Sequence, residues 1–161
     1  RRAGLTRPGA GASGGSRGRV ARGCDGGRME ILRIQPDGLV RSPAFSHVAV
    51  VPPGATTIYV GGQDGVDASG RVVSDDVAAQ AVRAVDNAEV ALAAAGATLA
   101  DVVQWTVLIA DGADIAAAYG AIAPRLATGG APPLVLAARV AGLAVPGALI
   151  EVSAVAAVVR E

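Results

Sequence analysis

A chain of 161 residues is long enough for one domain with a tail and too short for two ordinary domains. Fourteen basic residues, all Arg, balance fourteen acids, and hydrophobic residues make 52% of the chain with aromatics only 2%. One Cys and one His exclude an internal disulfide scaffold and a thiol–imidazole zinc centre, and the Ala/Val richness excludes global disorder.

The neutral charge divides unevenly. Residues 1–28 carry seven Arg and one acid, net +6, whereas residues 29–161 carry seven Arg and 13 acids, net −6. An acidic body argues against nucleic-acid binding, which needs a cationic face. No run of about 20 uncharged apolar residues is present, so no membrane partner and a cytoplasmic location are expected. Nine of residues 1–28 are Gly, and Leu5 and Val20 are the sizeable aliphatics there. Such a segment buries too little to offset its ordering, and a disordered tail is predicted, with the domain spanning 29–161. A basic arm that touches nucleic acid or anionic lipid and a transit leader are alternatives. Because patterned sequence begins at Met29, the preferred expectation is that 1–28 is non-native upstream sequence.

Along the body, Val48–Val51 and Thr57–Val60 are β-rich runs flanking Pro52-Pro53-Gly54-Ala55, which predicts a hairpin. The second run enters Gly61-Gly62-Gln63, where glycine signals a bulge or a close backbone approach. Arg71–Val73 predicts a short third strand. Ser74 is the expected N-cap of a helix reaching Ala95, with Gly96 after it. Its apolar face is Val77, Ala81, Ala84, Val85, Ala88, Leu92 and Ala95, with Asp86 and Glu89 away from it. Val102–Ala110 is a strand with Trp105 in the core. Asp111 is the expected cap of a second helix over 113–126, which Pro124 should end or bend. Leu134–Ala141 and Leu149–Val159 are the last strands. The order implies an α+β fold: one mixed sheet, hairpins at its ends, and both helices on one face. The other face is apolar enough to call for a partner subunit.

Several strings, in order, resemble the RidA/YjgF (reactive intermediate deaminase) family over about residues 30–160. They are Pro43-Ala44-Phe45-Ser46-His47, Tyr59-Val60-Gly61-Gly62-Gln63, Asp76-Val77-Ala78-Ala79-Gln80, Ala94-Ala95-Gly96 with Leu99-Ala100-Asp101-Val102-Val103, Ala118-Tyr119, and Ala148-Leu149-Ile150-Glu151-Val152. The resemblance implies a chorismate-mutase-like fold, a homotrimer, small-molecule clefts between subunits, and no metal or other cofactor. In deaminating members an Arg on the penultimate strand grips the substrate carboxylate, a geometry that suits a guanidinium. A Glu on the last strand and backbone near the Gly-Gln string position water.

Here Glu151 matches that Glu, and Gly62 and Gln63 match the backbone string. The arginine position falls on Val135 or Leu136, depending on whether Pro133 or Glu151 sets the register, and no Arg lies between Leu126 and Ala138. Phe45 stands where an aromatic hydroxyl is usual, and about Ala116 where many deaminating members have Asn. The chain therefore resembles an arginine-lacking branch. The expected activity is hydrolysis of a small imine, enamine or related metabolite, with Glu151 as the catalytic carboxylate. Phe45, Gly62, Gln63, Tyr119, Val135 and Leu136 are the expected substrate-binding residues. The alternative is a trimer that binds a less charged metabolite without turnover. Glu151 is otherwise an acid satisfied by an Arg. Arg139 is more simply an ion-pair residue than an anion site, His47 a hydrogen-bonded structural residue, and Tyr119 either cleft or core.

Overall fold

The computed structural model describes residues 30–159. The predicted tail lies outside these residues. Strands β1 (Leu32–Ile34) and β2 (Val48–Val50) form an antiparallel ribbon. Strand β3 (Thr56–Asp64), helix α1 (Val77–Ala94), strand β4 (Val102–Ala110), helix α2 (Ile115–Leu126), and strands β5 (Leu134–Val140) and β6 (Ile150–Val158) complete the domain. The main sheet is mixed, in the order β3-β6-β4-β5, with β5 parallel to β4 and β6 antiparallel to both its neighbours. The expected α+β architecture is thus present: a mixed sheet with two helices against one face.

Strand pairing departs from expectation at both ends. The Pro52–Ala55 turn forms, with Gly54 at φ +83°, but it does not close a hairpin. Strand β2 pairs with β1, and β3 pairs with β6. Pro52 and Pro53 carry no N–H with which to extend a ladder out of the turn. The last two strands do not pair either, because β6 runs between β3 and β4 and leaves β5 on the outer edge. Arg71–Val73 is not a strand; it contributes one bridge, Val66 to Val72. That loop is organised by Asp67, which accepts from Ser69 Oγ, Ser69 N and Arg71 N. The Ser69 hydroxyl and these neighbours hold its carboxyl well below the usual range.

Both helix caps sit slightly later than predicted. Asp76, not Ser74, accepts from Ala78 N and Ala79 N to start α1. Ser74 instead accepts the Asp76 N–H on its hydroxyl. Asp114, not Asp111, caps α2. A carboxylate there meets two free N–H groups at the positive end of the helix dipole. At the other end of α1, Gly96 (φ +75°) donates to Ala93 O and Ala97 N donates to Leu92 O, closing a Schellman motif. Ala95 is therefore the exposed C-cap rather than part of the apolar face. Pro124 falls inside α2, which ends two residues later.

The core lies between the helices and the sheet. Ala81, Ala84, Val85, Ala88 and Leu92 of α1 meet Val60, Trp105, Ile109, Ile150, Val152 and Ala154. Gln80 occupies the same buried face and is fully enclosed. Its Nε2 donates to Ser74 O (2.7 Å) and Gly147 O (3.0 Å), and its Oε1 accepts from Leu149 N (2.8 Å), so the polar group is satisfied where it is buried. Arg125 of α2 bridges Asp86 and Glu89 of α1 and fixes the two helices together. Among the described residues no helix is long and apolar enough to cross a membrane.

Candidate active site

Alternation along β6 sends Ile150, Val152 and Ala154 into the core and Glu151 and Ser153 to the opposite, helix-free face. The ladder places Glu151 directly opposite Asp64 of β3 and Leu108 of β4. The β3 strand is irregular between Val60 and Gln63, where Gly61 and Gly62 interrupt the regular register. A Cβ built on Gly62 would strike Glu151 Oε1 and lie 2.7 Å from its Cδ. Glycine at 62 therefore allows the carboxylate to lie against the backbone. Gln63 lies opposite core-facing Val152 in the ladder, and its Nε2 donates weakly to Gly61 O (3.4 Å).

Asp64 is a site residue that sequence reasoning missed. Partial burial, and then the facing Glu151, push its carboxyl pKa up. Its Oδ1 is shielded from solvent without a hydrogen-bond partner among the described residues. The two carboxyl groups thus face each other across the strand pair, an arrangement that favours the protonated form of Asp64. The signal was visible only after pairing, because residues 64 and 151 are joined by a register that neither local string encodes. Within the subunit no ion pair to Glu151 is found among the described residues, and the residue facing it across the ladder is another acid.

The other expected residues fall elsewhere. Phe45, Val135 and Leu136 line a shallow pocket of about 250 Å³ with His47, Gln104 and Leu134. Gln35 Nε2 donates to the Phe45 carbonyl (2.8 Å), and Ser46 N donates to Pro133 O (3.0 Å), which ties the loop before β2 to β5. His47 packs edge-on against Phe45 and donates from Nε2 to Val40 O (2.7 Å), a structural arrangement. Of the two registers for the missing arginine, Leu136 is the one that shares the Glu151 face: it pairs with Thr106, as Glu151 pairs with Leu108. Val135 pairs with Trp105 and belongs to the helix side. Tyr119 lies on α2 over a separate cavity on that side. Arg139 is exposed and donates to Ala113 O (3.3 Å), and no ion pair to it is found among the described residues of the subunit.

One subunit therefore brings Gly62, Asp64 and Glu151 together, with Gln63 next to them in the chain, and holds Phe45 and Leu136 apart from them. Leu136 and the β6 row are two ladder spacings apart, roughly 10 Å. Among the described residues no three His, Cys, Asp or Glu side chains gather in a metal-binding group. The pair can accept a proton from water at one carboxylate and return one from the other carboxyl group.

A family model described as Endoribonuclease L-PSP matches residues 40–158. A human protein named 2-iminobutanoate/2-iminopropanoate deaminase is 48% identical over 56 residues, 34% of this chain and 41% of that protein. The match thus spans less than half of that relative. The crystal structure of YyfB from Yersinia pestis, described as a Rid-family protein of unknown function, is 30% identical with a TM-score of 0.70, covering 81% of this chain and all of that one. The YjgF gene product of E. coli is 32% identical with a TM-score of 0.57, over 66% of this chain and 83% of that one.

Proposed function

Since the chain belongs to the Endoribonuclease L-PSP family, the RidA/YjgF proteins, we propose that it is a hydrolase of small imines or enamines that lack an anionic group. The observation that carries this reading is the Asp64–Glu151 carboxyl pair beside the Gly62 backbone, on a sheet face where Leu136 stands in place of a guanidinium. Glu151 is the base that takes a proton from water as the oxygen adds to the imine carbon. Protonated Asp64 gives its proton to the nitrogen. As the C–N bond of the resulting carbinolamine breaks, Glu151 returns its proton to the nitrogen and Asp64 takes the hydroxyl proton, so a carbonyl compound and ammonia or an amine leave and both carboxyl groups are restored. Two carboxyl groups disfavour a 2-imino acid, whose own carboxylate would face like charge with no donor to compensate. The human relative's name supports imine chemistry, and the missing arginine argues for a different substrate from the two in that name.

The proposal includes a homotrimer, because the helix-free face exposes Tyr59 (79%) and Leu136 (51%), and because subunit packing is the simplest way to bring the Phe45–Leu136 pocket to a neighbour's Glu151. The test measures carbonyl release, against enzyme-free controls, from an aliphatic imine generated by an amine oxidase and from 2-iminopropanoate generated by an amino-acid oxidase. Faster release from the uncharged imine, reduced about 100-fold by Glu151→Ala, is expected. Efficient turnover of 2-iminopropanoate, or a rate indifferent to Glu151→Ala, overturns the reading.

A further inference from the structure

On the opposite side of the sheet from Glu151, α2 spans β4–β6 and leaves a cavity of about 340 Å³. Its floor is Trp105, Ile109 and Ile150, all buried, and its helical wall includes Ala118 and Ala123. Tyr119, nearly half exposed, stands at the rim. Side chains this short cannot reach across the gap. The helix cannot settle further either, because Arg125 holds α2 to Asp86 and Glu89 of α1 while Ile122 already rests in the core.

We propose that this cavity is a second small-molecule site, selective for an uncharged apolar ligand the size of a bicyclic aromatic or a medium-length alkyl chain. No charged side chain lines it, so a charged ligand would be desolvated without compensation. Water is a poor occupant, since it needs two to four polar partners and the walls are aliphatic and aromatic. An apolar cavity of about 150 Å³ holds benzene, and this one is roughly twice that volume. The ligand is distinct from the substrate of the carboxyl pair: Ile150 and Glu151 are consecutive on β6 and point to opposite faces. The Tyr119 hydroxyl at the rim is available to a single polar group on the ligand.

Trp105 is the sole tryptophan of the chain, so its emission reports on the cavity alone. The full chain is titrated with 6-bromohexan-1-ol, whose bromine quenches indole on contact, and with 6-bromohexanoate. Saturable quenching by the alcohol, at least tenfold weaker with the carboxylate, is expected. Ala118→Leu and Ala123→Leu fill the space separately and should each abolish the saturable phase without lowering the melting temperature. If one of them fails to fold, the other gives the reading. Quenching that is linear in wild type, equal for both probes, or unchanged in the folded filled variant overturns the proposal.

Discussion

Two glycines four positions or fewer from one another meet different fates when a methyl group is added. At Gly62 the new Cβ strikes the end of a flexible Glu side chain, which can swing away. Gly62→Ala should therefore leave the melting temperature within about two degrees of wild type while lowering imine hydrolysis at least tenfold. At Gly65 the new Cβ lies 2.6 Å from Gln80 Cα and 2.8 Å from its carbonyl oxygen, inside a helix that cannot yield. Gly65→Ala should cost about 1–3 kcal/mol in a denaturant titration, the usual range for forced overpacking. Asp64 makes a pH prediction. Its pKa is raised on folding, so the protonated form is favoured in the native state, and that contribution is present below the unfolded value and lost as pH rises through the folded one. Asp64→Asn removes the ionisation penalty, so its melting temperature should exceed wild type at pH 7 and converge with it below about pH 4. A constant offset at all pH values would show that ionisation is not the cause. Sequence reasoning found Gly62 and Glu151 from strings, but Asp64 carries no local mark that distinguishes it from Asp67, a turn residue.

At the scale of elements, Gln80 is the hinge pin between the start of α1 and the segment that leads into β6. Gln80→Leu keeps the volume roughly but strands Leu149 N–H, Ser74 O and Gly147 O. With buried unsatisfied groups costing about 1–3 kcal/mol each, a loss of roughly 3 kcal/mol or more is expected in urea unfolding. A loss below about 1 kcal/mol would mean that water enters and replaces the side chain. The elements themselves were legible because their signals are local: the three- and four-residue spacing of α1, the β-branched run of β4, and the turn at Pro52–Ala55. What joins them was not. A turn announces a change of direction, not a partner, and both Ser74-to-Asp76 and Asp111-to-Asp114 offer two competent caps within one turn of helix. The apolar stripe likewise could not show that polar Gln80 completes it.

For the whole molecule, the helix-free sheet face is the surface on which the proposed trimer rests. Light scattering on residues 29–161 should give about three times the monomer mass, and Tyr59→Arg, which puts a charge on a residue 79% exposed in the isolated subunit, should shift the population toward monomer. A wild-type monomer at micromolar concentration would refute the trimer. The strand order β3-β6-β4-β5 has a further consequence for synthesis of the chain. Strands β3 and β4 pair only through β6, which is made after every other described strand of the sheet. Until residues 150–158 emerge, the nascent chain has two strands with no bridge between them and a helix α1 with half its sheet missing. Folding of the main sheet is thus held until residues 150–158 have emerged, and a chain cut before them has two open edges, a substrate for proteases and aggregation rather than a smaller domain.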